Sequence, residues 1–172
     1  MAFDGLFLSA ITKELNHSIL NTRADKVHQP EKDEVILSFR SREGTHKLLL
    51  TSSADNARAH LTDESKQNPK EAPLFTMVMR KYVQGGRLIA IDQPQGDRIL
   101  KLTFATTDEM GFDSNYLLIS EMMGRHSNII LVRERDMKIM ESIKHVGADV
   151  NSYRLLLPGA QYILPPPQDK LN

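Results

Sequence analysis

The chain has 172 residues, 40% of them hydrophobic, with 22 Lys plus Arg balancing 22 Asp plus Glu and no cysteine. That length and apolar content suffice for one domain or two small related halves around an ordinary core. They exclude disulfide staples, thiolate metal sites and a net basic charge that would attract nucleic acid wholesale, so any such binding must come from local patches. No apolar run approaches the roughly 20 residues that cross a bilayer, and "MAFDGLFLSAITKEL" has neither a basic n-region nor a small-residue cleavage site. The expectation is a protein of the cytoplasm with no membrane insertion.

Leu6, Ile11, Leu15 and Ile19 fall at helical spacing from Gly5 to Leu20, and Asp4 stands just ahead as a candidate N-cap. From Ala24 to Thr62 the period shortens. "DEVILSFR" and "HKLLLTS" read as strands around the turn "SREGT", "ARAHLT" adds a further candidate, and together they make an antiparallel meander. After the polar loop "DESKQNPKEAP", "PLFTMVMRKYVQGG" reads as a second helix, opened by Pro73 and stopped by Gly85 and Gly86. Then "RLIAIDQP", "DRILKLTF", "NYLLISEM" and "SNIILVRE" read as strands, and "MKIMESIKHV" as a last strand or hairpin. "LPGAQYILPPPQDKLN" accumulates proline and reads as a domain edge or linker entrance over 158–172.

A repeat runs through this pattern. Arg23, Gln29, Pro30 and Asp33 recur as Arg87, Gln93, Pro94 and Asp97 at a constant offset of 64, Val35-Ile36 recurs as Ile99-Leu100, and one further residue is needed before Phe39 matches Phe104. The expected architecture is α+β, with two related helix-plus-antiparallel-strand halves at about 1–66 and 67–150 forming two packed sheets.

Each candidate site residue has an ordinary reading beside a functional one. Asp97-Arg98 can be a charged strand start, yet Asp33 recurs as Asp97 whereas Glu34 is replaced by Arg98, so the pair sits where a function could have been added. Asp4 can simply cap a helix. Arg125, His126, Ser127 and Asn128 suit a polar hairpin turn, and equally suit phosphate or sugar contacts. Arg80, Lys81 and Arg87 either compensate a helix C-terminus or meet phosphate. The six histidines lack HxH or HExxH spacing, and no GxGxxG, GxxxxGK[ST] or GxSxG is present, so no metal, no cofactor and no catalytic machinery are expected.

Taken together, "FDGLFLSAITKEL", "FTMVMRKYVQGGRL", "QGDRIL", "EMMGRHSNIILV", "SIKHV" and "LPGAQY" resemble the N-terminal domain of the NFACT family over residues 1–170. Its bacterial members are known as RqcH or as FbpA- and PavA-type fibronectin-binding proteins. The resemblance implies a longer protein that binds large ribosomal subunits blocked by a stalled nascent chain and recruits tRNA to append a C-terminal alanine tail. It assigns tRNA handling to Asp4, Asp97 and Arg98, and raises Gly124 to Asn128 as a further contact. It also implies a fold similar to the N-terminal domain of formamidopyrimidine-type DNA glycosylases. The N-terminal proline nucleophile of those enzymes is missing from Met1-Ala2-Phe3, so excision chemistry is not expected. The alternative is an adhesin and virulence factor that binds fibronectin or fibrinogen at the cell surface.

Overall fold

The computed structural model describes residues 5–94, 97–150 and 153–166. Two helices accompany nine strands. The first segment is α1 (Gly5–Ser18), β1 (Arg23–Glu31), β2 (Glu34–Ser41), β3 (Gly44–Thr51) and β4 (Arg58–Thr62). The second is α2 (Leu74–Tyr82), β5 (Arg87–Asp92), β6 (Ile99–Thr107), β7 (Asp113–Glu121), β8 (Asn128–Arg133) and β9 (Lys138–Ser142). The fold is α+β and every strand pairing is antiparallel.

The strands form one sheet in the order β4-β3-β2-β1-β5-β6-β7-β8-β9, where two separate sheets were expected. The join is slight, because β1 and β5 share a single register pair, Arg23 with Arg87. Three strand spacings, roughly 14 Å in a flat sheet, separate β2 from β6. Yet the Phe39 and Phe104 rings stack with centroids 6.2 Å apart. The sheet therefore folds at the β1–β5 join, and its two wings enclose one core with Val35, Leu37, Leu48 and Leu50 facing Leu100, Leu102 and Leu118.

The offset of 64 recurs in the backbone bonding at that join. Leu88 N–H donates to Thr22 O (2.9 Å) as Ala24 N–H donates to Gly86 O (2.9 Å), and Asn21 N–H donates to Leu88 O (2.7 Å) as Gly85 N–H donates to Ala24 O (2.7 Å). The helices match too. Leu15 and Ile19 of the first helical stretch, like Met79 and Val83 of the second, are fully buried, and each stretch is followed by a left-handed residue, Asn21 (φ 67°) or Gly85 (φ 89°). Gly86 must stay small: a Cβ there would lie 2.7 Å from Thr106 Cγ2 and 2.9 Å from Val83 O. Each helix packs on both wings, α1 on β4, β5 and β6, α2 on β1 and β9. A glutamine at the end of each wing's first strand secures the other segment's helix. Gln29 Oε1 accepts the Thr76 hydroxyl (2.8 Å), and Gln93 Nε2 donates to Gly5 O (2.8 Å).

The wings differ on their outer faces. Ile99, Leu117, Ile119, Ile130 and Val132 of the second wing are covered by the C-terminal segment through Leu156 and Tyr162. On the first wing the polar loop after β4 lies over part of the outer face, where Lys66 meets Glu34, Asn68 meets His28 and Lys47 meets Ser65. Among the described residues no helix is long and apolar enough to cross a membrane.

Candidate nucleic-acid interface

The candidate site begins where β5 passes to β6. Asp97 and Arg98 precede β6, which starts at Ile99. Core-facing residues correct the repeat here: Val35, Leu37 and Phe39 correspond to Leu100, Leu102 and Phe104, an offset of 65. The extra residue therefore falls before Leu100, and the structural counterpart of Glu34 is Ile99 instead of Arg98. Arg98 belongs to an enlarged connection.

Asp97 is only 4% exposed. Its N–H donates to Pro94 O (3.1 Å), its Oδ1 accepts the Arg98 N–H (2.8 Å), and its carbonyl accepts Gln93 Nε2 (2.8 Å). Because that same Gln93 amide reaches Gly5 O, the Asp97 turn is tied to the head of α1. Asp97 is thus a buried member of the turn, its carboxylate accepting the backbone N–H of Arg98. Arg98 is half-buried, and its carbonyl accepts Met122 N–H (2.9 Å). Asp4 lies outside the described residues; it precedes Gly5 directly in the sequence.

The Met122 bond brings in the β7–β8 connection. Gly124–His126 form one 3-10 turn, with Gly124 at φ 60°. Ser127 Oγ donates to Gly124 O (2.6 Å) and accepts Met123 N–H (2.8 Å). Asn128 clamps Lys144, donating from Nδ2 to its carbonyl (2.8 Å) and accepting its N–H on Oδ1 (3.0 Å). Both residues are 1% exposed, and their hydrogen bonds hold the turn and the Lys144 backbone together. Arg125 and His126 are exposed beside Arg98's end of the sheet. An Arg fork grips phosphate bidentately, and an imidazole donates or stacks.

Two features beneath this end carry no signal in the sequence. Glu121, register partner of Ile99 and Asn128, is buried against Arg154, whose Nη1 and Nη2 lie 3.1 and 2.7 Å from its two oxygens. Tyr162 donates its hydroxyl to the same carboxylate (2.7 Å). Burial first, then the Glu121 charge, push the Tyr162 phenol far above its ordinary range, so it stays a donor. Ser120 holds a buried hydroxyl with no hydrogen-bond partner at the place where register puts Leu50 in the first wing.

The remaining candidates lie elsewhere. Arg80 is exposed and donates Nε and Nη2 to Val27 O (3.3 and 3.0 Å), which ties α2 to β1. Lys81 sits 5.2 Å from the Tyr82 ring centroid. Lys81 and Arg87 line a groove of about 970 Å³ with Ala105, Thr106 and Thr107, at the far end of β6 and some 26 Å from Arg98 by strand rise. The basic group and the Asp97-Arg98 turn are therefore separate places.

A family model described as the NFACT N-terminal and middle domains matches residues 4–172. The chain belongs to that family. It is 44% identical over 172 residues to the Rqc2 homolog RqcH of Streptococcus pneumoniae, covering all of this chain and 31% of that protein. It is 28% identical over 129 residues to the human ribosome quality control complex subunit NEMF, covering 75% of this chain and 11% of that one. Among solved structures, the N-terminal domain of the fibronectin-binding protein PavA from Streptococcus pneumoniae superposes with a TM-score of 0.93 at 44% identity, covering 96% of this chain and 63% of that one. The chain thus spans about a third of the length of the bacterial relative.

Proposed function

We propose that this NFACT domain is the tRNA-handling module of a ribosome quality-control factor, one that acts on obstructed large ribosomal subunits and supports alanine tailing of stalled nascent chains. The observation that carries this reading is the convergence of Arg98, Arg125 and His126 at one end of the sheet, with buried Asp97 and Gln93 fixing the turn against the head of α1. Relatives named for ribosome quality control support the biological setting. Arg98 is the phosphate or base-edge contact, Asp97 positions it, and Asp4 joins them by family analogy. The domain is read as a binding module of the cytoplasm without catalysis. The recurring offset supports two halves within one domain of about 1–170. A kinship with glycosylase N-terminal domains fits nucleic-acid handling without excision.

In the test, Arg98→Ala and Asp97→Ala are compared with the wild type for melting temperature and tRNA binding. The expected result for Arg98→Ala is unchanged melting with binding weakened about tenfold or more; unchanged binding overturns the assignment. A second reading, a fibronectin- or fibrinogen-binding adhesin, draws on the name of the solved PavA domain. Surface plasmon resonance against fibronectin separates the two, since specific docking persists at a salt concentration that screens exposed charges.

A further inference from the structure

We propose that the exposed face at the join of the two wings is a docking row for the phosphate backbone of RNA, formed by Arg40, Arg23 and Arg87. The proposal rests on the reading of the domain as an RNA binder and adds a second contact to it, remote from Arg98. Register places the three side by side: Arg23 pairs with Arg40 across β1–β2 and with Arg87 across β1–β5. Directly opposed residues of antiparallel strands project on the same face, and all three arginines are exposed.

Like charges in direct cross-strand register oppose folding. The Arg23 Nη1 bond to Gly85 O (3.0 Å) leaves most of that guanidinium's donors outward. Among the described residues none of the three makes an ion pair. The next residues on this face add to the charge: Lys26 pairs with Ser38, which pairs with Lys47, and Lys81 lines the groove with Arg23 and Arg87. A chain with no net charge has thus placed these cations together at the join of its two wings.

The acids nearby set the direction of the track. Asp108, Glu109 and Asp113 line the far wall of the groove. Asp108 Oδ1 is held by the N–H groups of Met110 and Phe112 (both 2.9 Å), and Asp113 Oδ1 accepts the Thr107 hydroxyl. Asp25 and Glu64 line a second recess of about 340 Å³ beside Arg40, Lys26 and Lys47. A polyanion therefore runs along the arginine row between these walls. Two strand spacings span roughly 10 Å, the scale of a short run of backbone phosphates.

The test measures binding of tRNA and of heparin to the chain across a salt series, for the wild type, Arg23→Gln, Arg40→Gln and Arg87→Gln singly and combined, and Arg98→Ala. Each lost phosphate contact lowers the slope of log K against log salt by about 0.7 to 0.9. The expected result is a tRNA slope shallower by about 2 in the triple variant, with melting unchanged or raised because the repulsion is gone. An unchanged tRNA slope, or no tRNA binding by the wild type, overturns the row. Loss confined to heparin assigns the face to sulfated polysaccharide and also overturns it. If Arg98→Ala weakens tRNA binding while the row variants do not, the row fails and the Arg98 site stands; the reverse leaves the row and removes the site.

Discussion

The β1–β2 and β5–β6 connections occupy matching places in the two wings, and they are built differently. The first is a two-residue hairpin: Glu31 pairs with Glu34 across Lys32 and Asp33, Gln29 Nε2 bonds the Lys32 carbonyl (3.1 Å), and Ser52 bonds that of Asp33. The second runs from Gln93 to Arg98 and is one residue longer by the core-facing match of Val35 with Leu100. A buried aspartate organises it, and Arg98 stands immediately before β6. The two connections thus differ by one residue at matching places, while the glutamine beneath holds a helix in both wings.

The largest expected effects come from the shared core. Phe39→Ala and Phe104→Ala should each cost about 3–5 kcal/mol, and because the rings stack, a double-mutant cycle measured by denaturant unfolding should show coupling. Clearly unequal costs would break the equivalence of the wings. Next, Arg154→Ala strands the buried Glu121 carboxylate and should cost roughly 3 kcal/mol. Glu121 sits where register puts Thr51 in the first wing, so Thr51→Ala should cost much less in the same urea titration.

Smaller effects sharpen the contrast between the connections. Gln29→Ala and Gln93→Ala each remove a helix tie and should cost about 1 kcal/mol. Only Gln93→Ala should also weaken tRNA binding, since only Gln93 holds the Asp97 turn. The smallest effect concerns His28 on the first wing. Burial, then Arg80, Lys26 and Lys47, hold its pKa below 6.5. The unfolded chain therefore takes up the proton first, and this contribution to stability is present above pH 6.5 and declines as pH falls below it. His28→Asn should flatten the fall in melting temperature between about pH 6.5 and 5.

Much of this was legible from residue order. Helices, meander and α+β class follow from apolar spacing, and the offset of 64 anticipated the bonding at the wing join. β1 itself was hidden because "ADKVHQP" is mostly polar, although its match with "RLIAIDQP" marked it. The site was only partly legible. An Asp in a turn reads as exposed, and the burial of Asp97 depends on Gln93 and α1, which only the fold assembles. Ser127 and Asn128 read as ligand contacts because their partners, Met123, Gly124 and Lys144, lie in backbone that sequence cannot position. The arginine row was invisible because Arg23, Arg40 and Arg87 meet only through strand register.

On the proposed function, the enlarged connection handles tRNA and its hairpin counterpart does not. The direct measurement is tRNA affinity of Arg98→Ala beside Lys32→Ala and Asp33→Ala in the same chain, each checked for unchanged melting. The expected result is a loss of about tenfold or more for Arg98→Ala and less than twofold for the hairpin variants. Equal losses at both connections, or full affinity in Arg98→Ala, would contradict it.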